Sequence, residues 1–113
     1  MKIGFNNLGY LDQKEFEVEK DYNKTKESNN DNYENPIERD ISDTYRSLGY
    51  IYEKGYGVEQ DYKKAKDYYE KSAEFGNPNV MNNLAIIYYN GYGVKQDYKK
   101  AKEYYDKSAE QGN

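Results

Sequence analysis

Two Gly-x-Gly segments, Gly55-Tyr56-Gly57 and Gly91-Tyr92-Gly93, are the first residues whose spacing could do chemistry, since a glycine-rich turn can present backbone N–H groups to a phosphate. A dinucleotide-binding loop needs a third glycine and a preceding strand; here the third glycine is absent and the flanking segments have helical periodicity. In a potassium filter the same letters require membrane helices, and no stretch approaches the ~18 apolar residues of a span. Asp61 and Asp97 could serve as catalytic carboxylates, but each stands one residue ahead of an amphipathic run, where aspartate caps a helix. No serine or threonine has a lysine three places on, which removes the acylation arrangement of penicillin-recognising enzymes. The acidic stretch around Asp31 lacks the glycine and the terminal glutamate of a calcium loop. Lys63-Lys64 and Lys99-Lys100 read as a solvated helix face.

Composition narrows the chemistry further. There is no histidine, hence no ordinary general base or imidazole ligand, and no cysteine for a thiolate site, nucleophile or disulfide. No metal site and no cofactor are expected. The net charge of −4 comes from interleaved Lys and Asp/Glu without a basic cluster, which argues against nucleic acid. The first sixteen residues lack the apolar run of a signal peptide, so the expectation is a soluble, cytoplasmic chain with no membrane insertion. Only 35% of residues are hydrophobic, and 16 are tyrosines. A core in so polar a chain has to be built largely from tyrosine.

The elements that would position these residues follow from an internal repeat. Shifting the chain by 36 places Leu48 to Asn77 over Leu84 to Asn113, with 22 of 30 positions identical. Such a period signals stacked supersecondary units. Within each unit the punctuation predicts helix, turn, helix. Asn77-Pro78 supplies an N-cap and a first-turn proline, and Leu84, Ile87 and Tyr88 recur at helical spacing up to Gly91, giving helix A. The Gly-Tyr-Gly-Val turn follows, with Val94 free to plug the space between helices. Asp97 then opens helix B, whose apolar face is expected to be Tyr98, Ala101, Tyr105 and Ala109, with Gly112 as its C-terminal cap. In the earlier unit the equivalents are Asp61, Tyr62, Ala65, Tyr69, Ala73 and Gly76.

A shift of 40 aligns Leu8, Gly9, Tyr10, Val18, Asp21 and Tyr22 with the same pattern, which suggests a degenerate first repeat. Its turn reads Glu15-Phe16-Glu17, and Thr25, Ser28 and Asn29 replace the alanine and the tyrosine pair. Its helix A is expected to pack through Leu8 and Tyr10. Residues 27–40, rich in asparagine with one proline, read as a mobile insert rather than a packed helix. The expected organisation is therefore 1–40 (degenerate repeat and insert), 41–77 and 78–113. The fold class is all-α, a short α/α superhelix of antiparallel helix pairs.

The string Leu-Gly-x-x-Tyr-x-x-Gly-x-Gly-Val-x-Gln-Asp-Tyr-x-x-Ala-x-x-Tyr-Tyr-x-x-Ser-Ala-x-x-Gly-Asn resembles the Sel1-like repeat, a relative of the tetratricopeptide repeat. That resemblance implies a superhelix used as an adaptor, with helix A lining the concave groove. The two units differ mainly on helix A, and Arg46, Tyr50, Glu53, Asn82, Ile86 and Tyr89 are the candidate contacts for an unidentified protein or peptide. The expected function is a non-enzymatic protein–protein interaction scaffold. Some relatives are credited with binding or cleaving antibiotics, which makes a hydrolase-like role the alternative. A third reading is a piece of a longer array without activity of its own. Asn113 directly follows a repeat, so the last unit either meets another copy of the chain or continues into further repeats.

Overall fold

The computed structural model describes residues 2–27 and 33–110, and the side chains of 9–27 and 33–110. The described residues form five helices and no strand: α1 Lys2–Lys26, α2 Pro36–Lys54, α3 Tyr62–Ala73, α4 Pro78–Asn90 and α5 Tyr98–Glu110. The helices α2 and α3 pair closely, as do α4 and α5. The contacts of α3 with α4 and of α1 with α2 are lighter. The result is a short helical-repeat solenoid of two antiparallel pairs, with α1 laid against its first helix.

Local signals set the helix ends. The Asp61 and Asp97 carboxylates accept from the backbone N–H of Lys64 and Lys100, each at 3.0 Å, so both are caps. Asn77 accepts from the Asn79 N–H at 3.0 Å ahead of Pro78. Both A helices end on a glycine at φ 72°, Gly55 and Gly91. The following turns repeat bond for bond: the Asp61 and Asp97 N–H groups reach back to the Tyr52 and Tyr88 carbonyls at 2.9 Å. Val58 and Val94 fill the space beneath each turn, as expected. The expected cap Gly112 lies outside the described residues, as do Ser28 and Asn29.

Three expectations are corrected. The segment 1–26 does not turn at Glu15-Phe16-Glu17; α1 runs unbroken for 25 residues. The A helices α2 and α4 stop where glycine accepts a left-handed conformation, and Glu-Phe-Glu provides no such residue while favouring continued helix. Its buried side chains are Leu11 and Val18, whereas Tyr10 is 62% exposed. Leu8 lies outside the described side chains.

Secondly, the segment read as an insert ends earlier. Asn35 accepts from the Ile37 N–H at 2.9 Å and Pro36 opens α2, six residues before the 36-residue period would place its start. The Asn-Pro pair that marks α4 is the signal here too. Glu38 and Ile41 are already buried. Residues 28–32 lie outside the described part.

Thirdly, helix B buries only part of the expected face on α5, and in both units a serine is buried that the pattern left out. Ala101 and Ser108 are buried on α5 while Tyr98, Tyr105 and Ala109 are exposed. On α3 Ala65 and Tyr69 are buried as expected, Tyr62 and Ala73 are half-buried, and Ser72 joins the buried set. Serine suits this position because its hydroxyl is satisfied: Ser42 and Ser72 each donate to the other's carbonyl, at 2.9 and 2.7 Å. The Asn77 amide completes the buried group by donating to the Ser42 hydroxyl at 3.2 Å. In the second pair Pro78 stands at the place of Ser42, and only Ser108 Oγ to the Pro78 carbonyl, 3.1 Å, remains of that reciprocal pair.

Tyrosine supplies much of the core, as the composition required. Tyr45, Tyr52, Tyr69 and Tyr88 are buried among Leu48, Phe75, Val80, Leu84 and Ile87. Tyr45 is the exception to hydroxyl pairing among the described residues: no partner meets its buried oxygen, at a cost of about 1–3 kcal/mol.

Candidate functional site

Each A helix anchors a tyrosine in the same way. Tyr88 donates to Glu70 on α3 at 2.8 Å, stacks on Tyr104 at 6.0 Å between centroids and lies under the Lys100 ammonium at 5.5 Å. Tyr52 donates to Glu15 on α1 at 2.6 Å, lies against Tyr68 at 5.9 Å and under Lys64 at 4.7 Å. Lys64 and Lys100 therefore pack on rings rather than merely facing water. Burial, reinforced by the acidic partner, pushes both tyrosine hydroxyls up from their ordinary pKa. They stay protonated and donate.

This shared contact gives α1 its place. Glu15 meets Tyr52 as Glu70 meets Tyr88, so α1 stands against α2 as a B helix stands against the next A helix. Its far end reaches α3: Tyr22 donates to Glu74 at 2.5 Å and packs edge-on against Tyr45 and Phe75, and Lys26 pairs with Glu74 at 3.0 Å.

The six candidate contact residues fall into equivalent positions on the two A helices, Arg46, Tyr50 and Glu53 on α2 and Asn82, Ile86 and Tyr89 on α4. Their spacing of four and three places each trio along one helix face. Arg46 is exposed, and Tyr50, Ile86 and Tyr89 are each about half exposed. Tyr50 stands edge-on to Tyr56 at 5.8 Å, with Lys54 over its ring. Asn82 is half-buried. Glu53 is already engaged inside the chain, accepting from Tyr69 Oη at 2.5 Å. Burial first, and then that bond, raises the pKa of Tyr69.

Tyr89 also belongs to a group absent from the candidate set. Its ring lies 5.0 Å from that of Tyr98, and with Ala101, Lys102 and Tyr105 the two line a cavity of about 310 Å³ on the outer side of α5. The periodic pattern assigned Tyr98 and Tyr105 to the core because they fall with Ala101 and Ala109 at steps of three or four along helix B. A second cavity, of about 260 Å³, lies between α1 and α2, lined by Tyr10, Leu11 and Lys14 on one side and Thr44, Ser47 and Ile51 on the other. Among the described residues no three acidic side chains converge as a metal site would require, and no helix is long and apolar enough to cross a membrane.

Comparison with known proteins places these features. The Sel1 repeat family matches residues 42–77 and again 78–113. A Sel1 repeat protein from Oxalobacter formigenes superposes with a TM-score of 0.60 at 33% identity, over 64% of this chain and 29% of its own. The protective antigen c5321 of uropathogenic Escherichia coli strains, which displays an SLR fold, gives 0.63 at 37% identity, over 67% of this chain and 16% of its own. Helicobacter pylori cysteine rich protein B gives 0.63 at 30% identity, over 66% and 56%. This chain thus spans under a third of the first two and just over half of the third, and it carries no cysteine. No curated protein matches it.

Proposed function

The chain belongs to the Sel1 repeat family, whose members generally mediate protein–protein interaction and are typically non-catalytic, and from that premise we propose that it is an adaptor binding a partner protein through the exposed faces of α2 and α4. The observation that carries this reading is the half-exposed tyrosine and isoleucine stripe. Tyr50, Ile86 and Tyr89 keep large apolar surface in water on the helices where the two repeats differ in sequence, while the repeated tyrosines Tyr52 and Tyr88 are buried. Aromatic side chains backed by a rigid scaffold lose little entropy on binding and are the usual anchors of an interface. Arg46 beside them supplies a planar donor for an acidic or carbonyl-rich partner. The carboxylates with a catalytic appearance, Asp61 and Asp97, are occupied as caps.

The test is affinity capture with the chain carrying Tyr50→Ala and Ile86→Ala together. Both side chains are exposed, so the melting temperature should hold, and partner binding should weaken by about thirtyfold or more, the effect of losing one hot spot. Undiminished capture of every partner by the folded double variant would sink the assignment.

A further inference from the structure

On α2 the residues Arg39, Asp43, Arg46, Tyr50 and Glu53 follow one another at steps of four and three, and so share one face of the helix. On α4 the equivalent row is Asn79, Asn82, Ile86 and Tyr89. Both arginines of the chain lie in the first row. Three of its polar members are engaged inside the chain. Arg39 lies over the Tyr33 ring at 5.8 Å and donates to the carbonyls of Tyr33 and Glu34 at 3.3 and 3.4 Å. Asp43 accepts from the Tyr33 hydroxyl at 3.1 Å and from the Asn77 amide at 3.3 Å. Glu53 accepts from Tyr69. The fourth, Arg46, is exposed and has no hydrogen bond or ion pair among the described residues.

The charge of Arg46 acts on the hydroxyls of both Tyr33 and Tyr69, which places the guanidinium between them. The Tyr69 hydroxyl is bonded to Glu53 of α2 and reached by the Asn83 amide of α4, so it marks the floor between the two A helices. Arg46 therefore leans over the groove rather than away from it. Opposite, α4 has no charged residue from Pro78 to Asn90. The side-chain amides of Asn79 and Asn82 are without a partner among the described residues, and each offers both a donor and an acceptor.

We propose that this groove takes an extended acidic peptide segment of the partner protein, with a carboxylate on Arg46, backbone groups on Asn79 and Asn82, and an apolar side chain against Tyr50 and Ile86. The proposal rests on the adaptor reading and deepens it by naming the partner's chemistry. A guanidinium presents five N–H donors in a plane that matches a carboxylate through two parallel bonds. No acid of α4 competes for them. Free carboxamides suit a chain whose backbone N–H and C=O groups are still unpaired, as in an extended segment, whereas a helix has used its own. Arg46 and Tyr50 stand one turn apart, about 6 Å, which is about two residues of extended chain at roughly 3.3 Å each. The expected motif is thus an acid about two positions from a large apolar residue.

The probe is a displayed library of random linear peptides, panned on the full 113-residue chain. Enriched peptides are expected to carry that motif, and one of them is then synthesised and titrated. Arg46→Gln should weaken its binding about tenfold or more, and so should exchange of the peptide's acid for its amide. The two losses should not add, because both break the same pair. Arg46→Lys should restore only part of the affinity, since an ammonium cannot make the two parallel bonds. Arg46 is exposed, so each variant should melt with the parent chain. Peptides selected without an acid, or binding that Arg46→Gln leaves unchanged, overturn the acidic specificity and leave the adaptor reading standing. If no peptide is enriched, an extended peptide is not the occupant, and affinity capture with the Tyr50 and Ile86 variants decides the adaptor reading separately. Binding lost with Arg46→Gln but kept with Tyr50→Ala and Ile86→Ala together would uphold the carboxylate contact and sink the apolar stripe. Self-association that Arg46→Gln dissolves, seen by sedimentation, would replace the peptide with a second copy of the chain.

Discussion

The B helices α3 and α5 are nearly the same sequence in different company. Tyr69 is 0% exposed, under α4 and against the backbone of Gly49, while Tyr105 is 43% exposed. Two physical differences separate them. No described helix crosses α5 on its outer side, and Ala85 replaces Gly49, where an added Cβ would sit only 2.7 Å from a ring placed like that of Tyr69. The lesson is that a tyrosine of this repeat becomes core only when the next helix arrives. Its other end is closed in a different way: α1 lays Leu11, Val18 and Tyr22 on the first pair, and Glu15 acts for Tyr52 as Glu70 does for Tyr88.

The largest effect should separate Tyr69→Ala from Tyr105→Ala. The first removes a buried ring and should cost about 3–5 kcal/mol, and the second should stay within about 1 kcal/mol, as read from urea midpoints. Equal losses would show that the two rings are equally packed in solution. Next come the hydroxyls. Ser72→Ala removes the buried bond that its hydroxyl donates to the Ser42 carbonyl and the contact between the two hydroxyls, for about 1–2 kcal/mol. Ser108→Ala removes a bond to the Pro78 carbonyl and should cost about 1 kcal/mol.

The smallest difference is in alkali. Burial holds the Tyr69 hydroxyl protonated above the ordinary value of 10.0. The unfolded chain therefore loses its protons first, so this stability is complete below that pH and falls as pH rises through the folded value. The slope is about 1.4 kcal/mol per pH unit for each such tyrosine. Urea melts between about pH 9 and pH 11 should show Tyr69→Phe flattening the decline.

Much of the architecture is legible in the residues. Asn77-Pro78, Asp61, Asp97, Gly55 and Gly91 mark helix ends where the structure has them. Asn35-Pro36 carries the same mark, obscured by the asparagine-rich composition around it. The long α1 was misread because matching letters at a shift of 40 suggested a hairpin, although the glycines that make the turn were missing. Of the candidate surface, Tyr50, Ile86 and Tyr89 stand exposed as variation between units suggested, but Glu53 is tied to Tyr69. Tyr98 and Tyr105 went unrecognised because helical spacing with Ala101 and Ala109 marks an apolar face without saying whether a further helix covers it.

The division has a physical origin. Caps, turns and the helix-pair repeat were determined by the sequence alone, since each depends on hydrogen bonds and backbone angles within a few residues. The placement of α1 as a stand-in B helix, the turning of Ser72 and Ser108 inward, and the opposite fates of Tyr69 and Tyr105 depend on which helix lies across them. Burial is a property of neighbours, and only the tertiary structure decides who they are.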